Sequence, residues 1–345
     1  MKIKNIIVLI VVLGGFGLMG YLYIWYGKAF KANLQGWDEN EYIYVRESDT
    51  FDKVYSQFKA YLKDPKGFEE IAEQRSYPYS MSAGRFRLKN GMNSYDITQA
   101  LRVNIPVKVT YNNQERIENL AGRLATQIEA DSLSILEAFT AHKFLEDNEL
   151  TKENVLVAFV PDTYEFYWNV NPIKMRNKLY NEYMRFWNDE RKAKAEELGL
   201  SPIEVSILAS IVQKETTKID ERPKVAGAYL NRLKLGMPLQ ADPTLVYAYK
   251  LYTGDFDEKI YRVYNKHKEI PSPYNTYLNT GLPPGPIFMP DKNAIDAVLN
   301  AEKHDYIYFC ASVDRIGYHE FAKTLAQHNV NSAKYHTYLN QSGIR

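Results

Sequence analysis

The longest apolar run of the chain lies near its N-terminus, where Ile6 to Tyr26 contains no charged residue. At about 1.5 Å of rise per residue, this run matches a hydrocarbon core of about 30 Å and predicts a membrane-spanning helix. Lysines precede the run, and tyrosines and a tryptophan end it, as at a membrane interface. A cleaved signal peptide is the alternative, which the length and bulky end of the run disfavour.

No second apolar run of this length follows, so the pattern predicts a single span. Residues 1–5 then form a cytoplasmic tip. The rest of the chain lies on the extracytoplasmic side of the plasma membrane, because a large domain can be translocated whatever its charge.

A small α/β module is predicted over residues 41–112, after a polar linker over 27–40. It opens with a short strand, cap residues and apolar positions at helical spacing, and a second strand follows over 83–90. The stretch IYVRESDTFDKVYSQF, residues 43–58, resembles the opening of a LysM domain, a strand–helix–helix–strand module that binds N-acetylglucosamine polymers. The alternative is a structural spacer that binds no sugar.

From residue 113 onward, helical spacing of the apolar positions dominates. Amphipathic helices are predicted to begin near Ile117 and Ser132, and one long helix covers Pro172–Glu197. Two short strands are predicted near the end of the chain, at residues 307–311 and from His319. The fold class is therefore α+β, with the spanning helix, the small module and a mixed α/β domain over 113–345 in that order.

The segment Ser201–Thr217 carries the clearest local signals. Ser201 is a good N-cap, Pro202 suits the first helical position, and Glu204 completes a capping box. The apolar residues that recur at helical spacing are Ile203, Ile207, Leu208, Ile211 and Val212. They predict a buried face on this helix.

Glu215 lies on that apolar face, eight residues after Ile207, whereas Gln213 points away from it. A carboxyl group there is either paired or held partly protonated by desolvation. A partly protonated carboxyl that faces a cleft suits a general acid. The alternative is a helix-end glutamate that reaches solvent.

Composition removes several classes of function. The net charge of +1 provides no field that would select nucleic acid, and Cys310, the only cysteine, excludes disulfides and cysteine-cluster metal sites. The histidines show no metal-ligand spacing, and neither a nucleophile elbow, a phosphate-binding loop nor a dinucleotide fingerprint occurs. No cofactor or metal is predicted. Tyrosine is abundant, at 28 residues, and tyrosines suit sugar-binding clefts as well as ordinary cores. Carboxylates with amide- and tyrosine-rich loops fit glycosidic bond cleavage.

Five motifs follow one another along the chain: FVPDTYEF, ILASIVQKET, KVAGAYLNRLKLGMPLQADPTLVYAY, SPYNTYLNTGLPPGPI and HEFAKTLAQHN. In this order they resemble the motifs of the YceG-like endolytic murein transglycosylases. The resemblance runs from the single anchor to the C-terminus and implies a catalytic region over 113–345, with its core at 155–345. The family core reads S-I-V-E-K-E, and Gln213 replaces the first of its two glutamates here.

The resemblance implies a lyase that cuts the bond between N-acetylmuramic acid and N-acetylglucosamine. Glu215 would donate a proton to the leaving oxygen, and its carboxylate would then take the proton of the muramic C6 hydroxyl, which closes a 1,6-anhydro ring. The residues expected to support Glu215 or hold the sugar are Glu221, Gln240, Asp242, Thr244, Tyr247, Tyr274, Asn275 and Thr276. Asp242 and Thr244 also suit helix capping.

Two alternatives remain open at the level of sequence. A hydrolytic muramidase would use Glu221 or Asp242 as a second carboxylate. A non-enzymatic scaffold would bind the cell wall without cutting it. The resemblance also implies glycan strands as substrate and peptidoglycan synthases as partners, with the enzyme ending nascent strands near the membrane.

Overall fold

The computed structural model describes residues 3–260 and 263–341. Residues 1 and 2 of the predicted cytoplasmic tip, and residues 342–345 of the predicted catalytic region, lie outside the described part. The chain divides into two compact units. The first holds residues up to 109 with 127–130 and 164–170, and the second holds 110–126, 131–163 and the chain from 171. Within the described residues, helices and three two-stranded sheets build these units, in agreement with a mixed α/β fold.

The N-terminal helix, α1, runs from Ile3 to Phe30 and is longer than the predicted span. Its part from Asn5 is long and apolar enough to cross a membrane, and most of its large apolar side chains are exposed. The predicted linker over 27–40 differs from the structure. The helix continues to Phe30, and the following residues pack on the module because Leu34 and Trp37 are buried in its core.

The first unit contains a small module whose elements follow the predicted order. They are β1 (Ile43–Val45), α2 (Phe51–Ser56), a 3-10 turn (Lys59–Tyr61), α3 (Pro65–Gln74), β2 (Gly84–Phe86) and α4 (Ser94–Ala100). Strands β1 and β2 are antiparallel, with Ile43 opposite Phe86. Phe86 of β2 is fully buried, and so are Phe58 and Phe68 in the same hydrophobic core. The order strand–helix–helix–strand is thus present, and the LysM-like character stays a prediction.

Strands β3 (Pro106–Tyr111) and β4 (Asp162–Tyr167) pair with each other, and each strand belongs in part to both units. The helical elements that follow β3 are α5 (Ile117–Ala125), α6 (Ser132–Phe139), α7 (His142–Asp147), a 3-10 turn (Val155–Ala158), α8 (Pro172–Phe186) and α9 (Asp189–Leu198). The single helix predicted over 172–197 is wrong, because it is broken at Trp187. The Trp187 ring is buried, and the Asn188 side chain accepts a hydrogen bond from Arg191 N to start α9.

The helix α10 (Pro202–Glu215) lies at the centre of the second unit. Its capping box is present, since Glu204 N donates to Ser201 Oγ at 3.2 Å and Ser201 N donates to Glu204 Oε2 at 2.8 Å. Every residue from Val205 to Val212 is buried, so the helix is enclosed on all sides rather than along one stripe. Ile203, at the start of the predicted stripe, is partly exposed.

The elements around α10 are α11 (Arg222–Lys234), α12 (Asp242–Thr253), α13 (Asn265–Lys268), α14 (Lys292–Leu299), β5 (Tyr308–Ala311), β6 (His319–Ala322) and α15 (Leu325–Gln341). Helices α11, α12 and α14 pack on α10. Strands β5 and β6 form an antiparallel pair with Ala311 opposite His319. Helix α12 begins differently from the prediction, because Ala241 is its N-cap and Asp242 is its first residue.

Candidate active site

Glu215 is the last residue of α10, at the point where the buried helix reaches a cavity of about 460 Å³. The side chain is half-buried. The residues that line the cavity are Glu215, Arg232, Gln240, Asp242, Tyr277, Tyr308, Phe309, Cys310, Ala311, His319, Leu325 and His328. Several separate elements of the second unit, from α11 to α15, therefore converge on the carboxyl group that the helical pattern selected.

The environment of Glu215 raises the pKa of its carboxyl group, chiefly because burial disfavours the charged form. His319, the hydroxyl of Tyr229 and Arg232 oppose that rise, and the charge of Asp242 adds to it. The phenol of Tyr229 donates to Glu215 Oε2 at 3.1 Å. A carboxyl with a raised pKa and an open cavity before it can deliver a proton to a bound ligand.

Gln213 lies outside this cavity, although it is only two positions before Glu215. Its side-chain oxygen accepts a hydrogen bond of 2.8 Å from Asp291 N, at the start of α14. It thus connects α10 to the start of α14. The Asp291 carboxylate caps α14 and also contacts the buried Arg222, which anchors this end of α11.

Asp242 faces the cavity because it is the first residue of α12 and not its cap. Its carboxylate accepts a hydrogen bond of 2.7 Å from the hydroxyl of Tyr277. Burial raises the pKa of the Tyr277 phenol, so this group remains protonated and donates. Gln240, two residues earlier, also lines the cavity with a left-handed backbone at φ of 48°. Its backbone N–H donates to Thr276 O.

Three of the predicted sugar ligands are internal supports. Thr244, Asn275 and Thr276 are almost completely buried and do not line the cavity. The Asn275 side chain donates to two backbone oxygens of its own loop, and the hydroxyls of Thr244 and Thr276 bond to each other at 2.7 Å. Thr276 also accepts from Ala241 N, so these side chains fix the loop against the start of α12.

Tyr247 and Tyr274 lie at a different depression of about 240 Å³, with ring centroids 4.8 Å apart. Glu115, Lys152 and Glu153 are among the other residues that line it. The structure therefore brings Glu215, Gln240 and Asp242 together in one cavity and places the two tyrosines elsewhere.

Glu221 is buried beside the cavity and does not line it. Both of its carboxylate oxygens accept hydrogen bonds. Oε1 accepts from His319 N at 2.7 Å, and Oε2 accepts from the Thr216 hydroxyl at 3.0 Å and is 2.9 Å from His319 Nδ1. Glu221 thus holds the His319 ring, which does face the cavity.

The residues of this site that sequence reasoning missed include Tyr229, Arg232, Tyr277 and His319. Tyr229 and Arg232 are three residues apart on α11, a spacing that places both on one helical face. Tyr277 belongs to the polar loop over 272–277, and His319 opens the last motif of the chain. Within the described ranges, 3–260 and 263–341, no group of three or more histidine, cysteine or carboxylate side chains is placed to hold a metal ion.

Comparison with known proteins gives concordant results. The family model described as YceG-like matches residues 43–334. An endolytic murein transglycosylase of Bacillus subtilis (strain 168) is 30% identical over 298 residues, which cover 79% of this chain and 78% of that protein. A protein of the same description from Streptococcus pneumoniae (serotype 2, strain D39) is 36% identical over 139 residues, or 40% of this chain and 24% of that protein.

Among solved structures, a YceG-like protein of Listeria monocytogenes has a similar fold, with a TM-score of 0.56. The match covers 84% of this chain and 97% of that chain, at 23% sequence identity. At this level of identity the likeness supports the fold.

Proposed function

This chain belongs to the YceG-like family, and on that premise we propose that it is an endolytic lytic transglycosylase, a lyase that cuts peptidoglycan glycan strands. The observation that carries the proposal is the half-buried carboxyl of Glu215. Burial raises its pKa, and it faces a cavity lined by amide, carboxylate, imidazole and phenol groups. The relatives described as endolytic murein transglycosylases support the same reaction.

In the proposed reaction, protonated Glu215 delivers its proton to the oxygen that joins N-acetylmuramic acid to N-acetylglucosamine. The bond from muramic C1 to that oxygen breaks, and positive charge develops at C1. The C6 hydroxyl of the same sugar attacks C1, which closes a 1,6-anhydro ring and consumes no water. The hydroxyl proton needs an acceptor, and ionised Glu215 is the acceptor that a single-carboxyl scheme provides.

Hydrolysis is the competing reaction, and it needs a second carboxylate. Glu221 does not suit that role, because its two oxygens are engaged by Thr216 and His319. Asp242 does face the cavity and remains the carboxylate that a hydrolytic mechanism would use. Mass spectrometry of glycan strands digested with the full-length protein separates the two reactions. Anhydro ends support the proposal, and reducing ends in their place would refute it.

We also propose that α1 anchors the protein in the plasma membrane and that the second unit works on the extracytoplasmic side. The length and apolar surface of α1 support a single span. The helix ends at Phe30 and the small module follows almost at once, so the tether is short. A short tether favours cuts in newly made strands near the membrane, where peptidoglycan synthases supply the substrate.

The scaffold alternative predicts that catalysis is dispensable. Replacing Glu215 by Gln removes the exchangeable proton and keeps the shape of the side chain. The variant chain, expressed in cells that lack the wild-type protein, should fail to restore normal glycan strand length while it accumulates to the wild-type level. Full restoration by this variant would favour a scaffold.

A further inference from the structure

The buried pair Glu221 and His319 has no part in the single-carboxyl scheme, yet it is built into the wall of the cavity. Resting on the proposed function, we propose that His319 is a further catalytic residue, the base that takes the proton of the attacking C6 hydroxyl. Glu221 is then the positioning residue that holds the imidazole. Glu215 keeps the role of acid, so the two proton transfers fall to two groups.

The hydrogen bonds of Glu221 determine the tautomer of His319. Its Oε1 accepts from His319 N, and its Oε2 accepts from the Thr216 hydroxyl, so the carboxylate is surrounded by donors. Nδ1, at 2.9 Å from Oε2, therefore carries a hydrogen and donates it. In a neutral ring the lone pair is then on Nε2, on the other side of the imidazole. This is the arrangement in which a buried carboxylate orients a histidine base.

Nε2 is available to a ligand. His319 lines the same cavity as Glu215, and among the described residues Nε2 forms no hydrogen bond. The side chain is mostly buried at 14% exposure, and Phe309 packs against the ring at a centroid distance of 5.3 Å. The ring is thus fixed by a carboxylate on one edge and an aromatic neighbour on another.

His319 and Glu215 line the same cavity, so both can face one bound sugar. When its imidazole is protonated, the positive charge of His319 opposes the burial-driven rise in the pKa of the Glu215 carboxyl. Tyr229, Arg232 and Asp242 are the other groups that affect this pKa.

The proposed step balances. The proton on Glu215 passes to the leaving oxygen as the bond from C1 to that oxygen breaks. The C6 oxygen forms a bond to C1, and its proton moves to Nε2 of His319. The site ends with ionised Glu215 and a protonated imidazole that Glu221 stabilises. A proton passed from His319 to Glu215 through water restores the starting state, and no other reactant is required.

Two variants of the full-length protein in detergent test the pair on uncrosslinked glycan strands. His319→Asn keeps an amide N–H near the position of Nδ1 and removes the base, so we expect a loss of about 10²-fold or more in anhydro ends formed per unit time. Glu221→Gln places an amide N–H either against Nδ1, which disfavours the productive tautomer, or against His319 N, where two donors face each other and the ring loses its support. We expect a loss of about tenfold or more. Wild-type rates in His319→Asn would overturn the proposal.

An activated substrate separates the base from the acid. A 2,4-dinitrophenyl β-glycoside of the disaccharide N-acetylglucosaminyl-N-acetylmuramic acid has a leaving group that needs no proton. Glu215→Gln should recover most of the wild-type rate of anhydro-sugar formation on it, whereas His319→Asn should remain impaired by a similar factor. Recovery of His319→Asn, or failure of Glu215→Gln to recover, would assign the base role elsewhere and overturn the proposal.

A structural role for His319 is distinguished by stability, because it would lower the melting temperature of His319→Asn, whereas loss of the base alone leaves the melting temperature close to the wild-type value. If the wild-type protein forms no anhydro ends from either substrate, the proposed function itself fails. If the wild type forms them and His319→Asn forms them at the same rate, only the assignment of the base fails.

Discussion

The hydroxyl of Tyr229 donates a hydrogen bond of 3.1 Å to Oε2 of Glu215. Burial raises the pKa of this phenol well above its usual value, so the donor remains protonated. The bond stabilises the ionised carboxylate and opposes the rise that burial causes in the pKa of Glu215. The acid strength of Glu215 is therefore a balance between desolvation and a small number of named neighbours.

Removing the Tyr229 hydroxyl shifts that balance. In Tyr229→Phe the ionised carboxylate loses a donor, so the pKa of Glu215 rises further. A general acid works while protonated, so the basic limb of the pH–rate profile moves to higher pH. The lost hydrogen bond is worth about 1 kcal/mol, and we expect a rate lower by roughly fivefold at the optimum. Rates of anhydro-end formation across pH test this, and a limb that moves to lower pH would contradict it.

Removing the charge of Asp242 should shift the pKa of Glu215 in the opposite direction. Its negative charge raises the pKa of Glu215, so Asp242→Asn should lower that pKa and move the basic limb to lower pH. Tyr277→Phe is the matched control, because it removes the hydrogen bond to Asp242 and keeps the charge. The same profiles measured on both variants give the answer. A basic limb at the same pH in Asp242→Asn and in the wild type would show that Asp242 does not affect the pKa of Glu215.

Two substitutions at neighbouring positions of α10, 213 and 215, test which side chain carries the chemistry. Glu215→Gln should lower the rate of strand cleavage by about 10²- to 10⁴-fold, since it removes the acid. Gln213→Glu should keep activity within about threefold, because Gln213 bonds to Asp291 N and lies outside the cavity. The rate at which each variant forms cleaved strands, measured by chromatography, distinguishes the two residues. A large loss in Gln213→Glu would place that residue in the mechanism after all.

Local signals in the sequence were sufficient for the central helix. The capping box at Ser201 and the proline after it place the start of α10, and helical periodicity places Glu215 on a buried face. These features depend on neighbours within four residues, which a sequence displays directly. The prediction of one helix over 172–197 is wrong because it also uses only local signals. The break at Trp187 is caused by the burial of its ring within the second unit.

The companions of Glu215 depend on contacts between distant parts of the chain. His319 reaches the cavity only because β6 pairs with β5, and Glu221 meets it across 98 positions of sequence. Asp242 looked like a helix cap, and the structure makes it a cavity residue because Ala241 takes the cap. Thr244 and Asn275 are polar and lie in the matching motifs, yet the Thr244 hydroxyl and the Asn275 amide donate to backbone oxygens inside the protein.

The raised pKa of Glu215 also predicts a dependence of stability on pH. The folded pKa lies above the unfolded one, so the folded protein is penalised where the carboxyl ionises. This penalty is absent below the unfolded pKa and grows as pH rises through the folded pKa. Glu215→Gln carries no charge and should melt at a higher temperature than the wild type at pH 7, and the difference should shrink on acidification. A melting-temperature difference that grows on acidification would contradict this prediction.

Two helical glycines predict opposite effects of the same substitution. A Cβ at Gly227 on α11 would lie 2.4 Å from Glu302 O and 2.8 Å from His304 Nε2, so the backbone of the 302–304 segment must shift. Overpacking of this kind costs about 1–3 kcal/mol, against a gain of about 1 kcal/mol from the helix propensity of alanine. Gly227→Ala should therefore cause a net loss in the free energy of unfolding.

Gly122 on α5 is the matched control, because nothing lies within 4 Å of its added Cβ. Gly122→Ala should raise the free energy of unfolding by about 0.5–1 kcal/mol through helix propensity alone. Denaturant unfolding of both variants, with full-length protein in the same detergent, compares them directly. Equal stabilisation in both variants would contradict the prediction. It would mean that the 302–304 segment accommodates a methyl group without cost, despite the 2.4 Å approach to Glu302 O.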